Sequence, residues 1–212
     1  MSHLGDIFHL MTKQPRANEN KEIVLNEAIN LLKVHQEHEF RIADIYANTG
    51  VSSSVIYSYF RSREGLIDAA YLKMYEILCV ISQETLMGYF QIPTAEDSPT
   101  IYYVPIDHLE SQMYESRMQN RRLRLKITSR IVTSPKFANS CREIHSNHIS
   151  KLVNTFDELK RDDKISNELS STELAMVYES LSYSWPLFEV IYQDDQTMTF
   201  AKIFETIVIK MS

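Results

Sequence analysis

The segment Arg41-Ile-Ala-Asp-Ile-Tyr-Ala-Asn-Thr-Gly-Val-Ser-Ser-Ser-Val-Ile-Tyr-Ser-Tyr-Phe-Arg-Ser-Arg63 constrains this chain most, because it reads as two short helices joined by a glycine turn. A helix-turn-helix needs a small residue in a sharp turn, apolar side chains between its helices, and short or polar side chains on the outer face of the second helix. Gly50 can take the left-handed turn, Ile42, Ile45, Val51, Ile56 and Phe60 can form the inner contacts, and Ser52 can cap the second helix. Ser53, Ser54, Tyr57 and Ser58 then face outward. An ordinary corner of two helices meets the same demands, so spacing alone leaves both readings open.

The rest of the chain points to an all-α fold. Only four glycines and six prolines occur in 212 residues, little material for tight hairpins, while Leu, Ile, Glu, Lys, Met and Ala recur at helical spacing. Residues 1–17 read as a poorly fixed arm, and a first helix is predicted from Asn18 to His35 with Val24, Ala28, Leu31 and Leu32 on one face. Ser62 can cap a long helix through Tyr89, striped by Leu66, Ala70, Tyr71, Met74, Leu78 and Ile81. A loop is expected from Gln91 to Pro105, since that run holds three prolines and the pair Tyr102-Tyr103. Helices are predicted at 106–133, 136–161, 171–192 and 196–210. Ser170 and Glu173 form a capping-box pattern before the third of these, and Trp185-Pro186 is expected to kink it.

The continuation Thr49-Gly-Val-Ser-Ser-Ser-Val-Ile-Tyr-Ser-Tyr-Phe-Arg-Ser-Arg-Glu-Gly-Leu66 resembles the TetR family of bacterial transcriptional regulators. That family's signature is an Ala-Gly-Val-Ser turn, a Tyr two residues before an aromatic or His, then Phe, and a Lys before Leu. Gly50, Val51, Ser52, Tyr57, Phe60 and Leu66 match outright, Tyr59 takes the place often held by His, and Arg63 that of Lys. Tyr46 departs from the usual Ala, and Arg41 stands where Thr or Ser commonly caps the preceding helix. The resemblance implies a DNA-binding domain over 1–65 and a variable ligand-binding and dimerisation domain over 66–212. It also implies that the last two helices pack against their counterparts in a second subunit.

The expected DNA-binding residues are Arg41, Ser52, Ser53, Ser54, Tyr57, Tyr59 and Arg63. Strong base readout usually comes from bidentate Arg on guanine or Asn/Gln on adenine, and residues 52–59 contain none of these. Tyr57, Tyr59 and Arg63 are therefore expected to fix the helix on the phosphate backbone, Ser53 and Ser54 to allow close approach, and DNA shape to carry much of the specificity. Net charge is −6, yet residues 41–63 hold three Arg against one Asp, a local excess suited to phosphate.

The C-terminal part supplies candidates for a small-molecule site: Tyr102, Met113, Arg117, Arg121, Arg124, Cys141, His145, His148, Tyr178 and Trp185. The helix near 117–133 carries six basic residues in two bands, which suit either solvated faces or a pocket that attracts an anion. Cys141, His145 and His148 fall at i, i+4 and i+7, a spacing open to core packing, pocket lining or a transition metal. Leu181, Trp185, Leu187, Phe188, Ile191, Phe200, Ile203 and Phe204 can build a self-complementary contact or close the monomer's own core.

These features describe a cytoplasmic, ligand-responsive regulator: a homodimeric repressor that binds a near-palindromic double-stranded DNA operator and is released by a small molecule, with no cofactor and no resident metal. Apolar runs are too short to span a bilayer, and no signal segment is visible. Cys79 and Cys141 read as free thiols. An enzyme is disfavoured, since the chain lacks a nucleophile turn, a phosphate-binding glycine loop and a His-Glu zinc motif. The other alternative is a helical ligand-binding or interaction module without DNA binding.

Overall fold

The computed structural model describes residues 3–91 and 111–192; within these helices, the side chains of 3–17, 85, 88, 89, 91, 111–117, 185, 186, 189, 190 and 192 lie outside the description. Seven helices make up the described chain: α1 (His3–Val34), α2 (Ile42–Thr49), α3 (Ser53–Phe60), α4 (Arg63–Gln91), α5 (Ser111–Thr133), α6 (Pro135–Arg161) and α7 (Ser171–Tyr192). The expected loop at 91–105 and final helix at 196–210 fall outside the described residues. No described helix is long and apolar enough to cross a membrane.

The chain divides into two compact units, Met1–Met74 and Tyr75–Ser212, with the division inside α4. In the first, α1, α2 and α3 pack on one another. Val24, Leu25, Ala28, Ile29 and Leu32 of α1 are buried, as are Ile42, Ile45, Val51, Ile56 and Phe60 of the helix-turn-helix. Leu66, Ile67, Ala70 and Tyr71, from the start of α4, complete this core. The sequence places the start of α1 at Asn18, but the helix begins at His3 and runs through Pro15. Proline removes one helical donor, a loss that a helix can absorb when its other hydrogen bonds persist.

Sharp corners hold this unit together. Gly50 has φ +70°, and its N–H donates to the Tyr46 carbonyl at 2.8 Å, closing α2 with a left-handed residue that favours glycine. Thr49 adds a bond from Oγ1 to the Ile45 carbonyl at 2.6 Å. Ser52 occupies the N-cap of α3 in extended conformation but makes no side-chain capping bond; its Oγ instead lies 3.1 Å from Ser54 Oγ. Ser62 does cap α4, accepting from the Gly65 N–H at 2.9 Å. Gly65 is required there, because a Cβ would collide with the Phe60 carbonyl.

In the second unit α5, α6 and α7 pack pairwise. Ser134 accepts from the Phe137 N–H at 3.3 Å, with Pro135 at the first helical position of α6. Before α7 the predicted capping box is formed: Ser170 N donates to Glu173 Oε2 at 2.7 Å and Glu173 N to Ser170 Oγ at 3.2 Å. These bonds pull the Glu173 carboxyl below its usual range. Leu86, Leu152, Phe156, Leu159, Ile165, Leu174, Ala175 and Tyr178 form a continuous apolar cluster. Within it the rings of Phe156 and Tyr178 meet edge to face, 6.4 Å apart. The helical assignment of α7 continues through Trp185 and Pro186.

Candidate functional sites

The outer surface of α3 is polar, as its sequence requires. Ile56 and Phe60 turn inward, leaving Ser53, Ser54, Tyr57 and Ser58 exposed. Tyr59 is half-buried with its ring edge-on to Phe60, 6.2 Å between centroids. Tyr46 points outward from α2 at 53% exposure, next in sequence to the fully buried Ile45, so its bulk leaves the packing between α2 and α3 intact. Arg41 is exposed at the N-cap of α2 and makes no side-chain capping bond.

Arg63, expected as a phosphate anchor, is hydrogen-bonded within the chain. Its Nε donates to the Phe40 carbonyl at 2.9 Å, one terminal nitrogen donates to the Glu37 carbonyl, and the other meets Glu64 Oε1 at 2.9 Å. The guanidinium also lies over the Phe40 ring at 5.8 Å. Glu37 is fixed further by Tyr71, whose hydroxyl donates to Oε1 at 2.9 Å. Arg63 thus gives two of its nitrogens to the connection between α1 and α2. The nearby cations whose side chains have no partner among the described residues are Arg41 and Arg61, the latter exposed at the C-cap of α3 with φ +66°. Arg61 belongs to the local excess of charge over 41–63 suited to phosphate, though not to the individually expected DNA-binding residues, and it stands one residue beyond α3.

In the second unit, three helical ladders converge. Tyr75, Cys79 and Ser82 on α4 have the same i, i+4, i+7 spacing as Cys141, His145 and His148 on α6, and Glu179 and Tyr183 on α7 are four apart. His145 Nδ1 lies 2.8 Å from the Tyr75 hydroxyl, which lies 3.0 Å from the Tyr183 hydroxyl. His148 Nε2 lies 3.1 Å from Glu179 Oε2, with His148 only 3% exposed. From α5, Arg124 donates to the Ser182 carbonyl at 2.8 Å and lies over the Tyr183 ring at 5.8 Å.

These groups border a cavity of about 10 Å³, room for roughly one water molecule, lined by Tyr75, Leu78, Cys79, Ser82 and Arg124 together with Ile127, Thr128, His148, Glu179 and Tyr183. Burial raises the Tyr75 phenol well above its usual range, with Tyr183 adding to the effect, and pushes Tyr183 itself up to about 12. The Cys79 thiol is likewise pushed up to about 12 by burial and then by Glu179. All three stay protonated at neutral pH.

Of the sequence candidates, Arg124 and His148 line the cavity, while His145 joins its hydrogen-bonded rim. Cys141 and Arg121 are buried outside its lining, and Tyr178 is a core residue whose hydroxyl donates to the Ser82 carbonyl at 2.7 Å. Tyr102 and the side chains of Met113, Arg117 and Trp185 lie outside the described residues. Among the described residues no three His, Cys, Asp or Glu are grouped to hold a metal ion. Tyr75, Cys79, Ser82 and Glu179 were missed because each is unremarkable on its own helix.

Residues 24–70 match the model of the bacterial regulatory proteins, tetR family. No curated protein matches the chain. Among solved structures, a TetR-family transcriptional regulator from Cytophaga hutchinsonii is similar with TM-score 0.62 and 13% identity, covering 90% of this chain and 92% of its own. Reduced NemR from E. coli is similar with TM-score 0.62 and 14% identity, covering 89% and 97%. A TetR-family regulator assigned from Mesorhizobium loti has TM-score 0.61 and 13% identity, covering 91% and 98%. At these identities the likeness establishes the fold.

Proposed function

We propose that this chain, a member of the bacterial tetR family through its N-terminal domain, is a ligand-responsive transcriptional repressor. The observation that carries the reading is α3 itself, whose exposed face of serines and Tyr57 stands behind a left-handed Gly50 turn. Residues 1–65 are the DNA-binding domain, and 66–212 bind the effector and dimerise. Arg41, Ser52, Ser53, Ser54, Tyr57 and Tyr59 meet DNA, Arg61 supplies the phosphate contact, and Arg63 positions the connection before α2. The protein acts in the cytoplasm by binding, without chemistry of its own.

A near-palindromic operator calls for a homodimer, since two recognition helices must enter successive major grooves in register. Leu187, Phe188 and Ile191, all about half exposed on the last turns of α7, suit a contact made by the two C-terminal helices. A small molecule that prefers the dimer with the wrong spacing lowers operator affinity by its preference between the two states. Footprinting of the purified full-length protein on DNA flanking its own gene tests the proposal. A protected, two-fold symmetric site that weakens with salt supports it, and absence of selective binding at low salt overturns it.

A further inference from the structure

The cavity between the three ladders has loose ends of complementary kinds. Ser82 is only 7% exposed, and its Oγ has no hydrogen-bond partner among the described residues. Glu179 Oε2 is engaged by His148, while Oε1 lies 3.9 Å from His145 Nδ1, within ion-pair distance but beyond hydrogen-bond reach, and accepts no hydrogen bond among the described residues. Arg124 gives one nitrogen to Ser182 and has no carboxylate within ion-pair distance among the described residues. All three residues line the same cavity, alongside the apolar Leu78 and Ile127.

A group that satisfies this set must donate to Glu179 and accept from Ser82 or Arg124. A carboxylate cannot donate to Glu179, and an ammonium cannot accept from Arg124. The space suits one oxygen atom, while Leu78, Ile127 and the rings of Tyr75 and Tyr183 continue as an apolar or aromatic wall. A hydroxyl on an apolar body meets every condition.

We propose that this cavity anchors the hydroxyl of an uncharged phenol or apolar alcohol, which donates to Glu179 and accepts from Ser82 and Arg124. The proposal rests on the ligand-responsive reading above and names the chemistry of that site. The cavity holds little more than the hydroxyl, so the body of the ligand enters by parting α4 from α5 and α7 within the second unit. That displacement is what a ligand can use to shift a population of conformers.

Titration calorimetry on the full-length protein tests this with five probes of similar apolar size: 4-propylphenol, 1-hexanol, propylbenzene, 4-propylbenzoate and 4-propylbenzylammonium. At least one hydroxyl probe is expected to bind about tenfold or more tightly than each of the other three. Binding by both makes any apolar alcohol competent, and binding by the phenol alone confines the class to phenols. Ser82→Ala and Glu179→Gln should each reduce the advantage about threefold or more, with thermal melting showing that both proteins stay folded. Equal binding of propylbenzene or either charged probe, no binding of any hydroxyl probe, or an advantage undiminished in either folded variant overturns the inference. DNA binding by the ligand-free protein is measured in parallel: retained operator binding without hydroxyl preference sinks the inference alone, whereas hydroxyl binding without operator binding sinks the regulator reading alone.

Discussion

Arg63 Nε donates to the Phe40 carbonyl at 2.9 Å, and the same guanidinium lies over the Phe40 ring. One side chain therefore fastens both the backbone and the side chain of Phe40, two positions before α2. Replacing Arg63 with Ala leaves the Glu37 and Phe40 carbonyls without these donors, at an expected cost of about 2 kcal/mol in stability. Arg63→Lys should recover less than half of that, because a point-charge ammonium cannot reproduce a planar fork. Chemical denaturation measures both changes; an unaltered midpoint in Arg63→Ala would show that the brace contributes nothing.

Arg61 leads to a different expectation. Its side chain is exposed and makes no hydrogen bond or ion pair among the described residues, so Arg61→Ala should leave stability within about 0.5 kcal/mol of the parent. Loss of one phosphate contact per subunit should instead flatten the plot of log affinity against log salt by about 0.9 for each contact. Electrophoretic shifts at a series of salt concentrations read this slope. An unchanged slope in Arg61→Ala, with a reduced slope in a folded Arg63→Ala protein, would return the phosphate contact to Arg63.

The contrast between these two arginines shows how far the sequence could be read. Turn chemistry is local, so Gly50, Ser62 and the Ser170/Glu173 box were legible from a few neighbouring residues, as were the buried Ile45, Ile56 and Phe60. The fate of Arg63 was not, because its partners Glu37 and Phe40 lie more than twenty positions away and are backbone carbonyls, which every residue possesses. The cavity was half legible for a related reason. Its α6 ladder stood out through Cys and His, whereas Ser82 and Glu179 gain meaning only when α4 and α7 bring them to one space.

Two glycines offer a test of backbone geometry with opposite surroundings. A Cβ at Gly50 meets open space, so Gly50→Ala pays only for its left-handed conformation, about 1 kcal/mol. Gly50→Asn should cost less, since asparagine tolerates that region better than alanine. Gly65→Ala forces a Cβ onto the Phe60 carbonyl and must displace the capping turn, so its cost should reach about 2–3 kcal/mol. Thermal or denaturant unfolding ranks the three variants, and a Gly50→Ala protein less stable than Gly65→Ala would contradict this geometry.

Cys79 gives the pH dependence its sign. The thiol is pushed from 9.0 up to about 12 by burial, with Glu179 adding to the rise, so the native protein keeps a proton that the unfolded chain loses between those values. Stability increases with pH only where the unfolded state holds more protons. Here it holds fewer, so the contribution is fully present below about pH 9 and disappears as pH climbs toward about 12. Tyr183, raised to about 12 from 10.0, acts in the same direction above pH 10. At pH 8 the thiolate fraction of Cys79 falls to about one in ten thousand from about one in ten, and alkylation by iodoacetamide should be about a thousandfold slower than in the denatured chain. Mass spectrometry of peptides containing Cys79 follows the rate, which should rise about tenfold per pH unit while the protein stays folded. Labelling at pH 8 as fast in the native state as in denaturant would mean that the thiol is not held in this protonated, buried state.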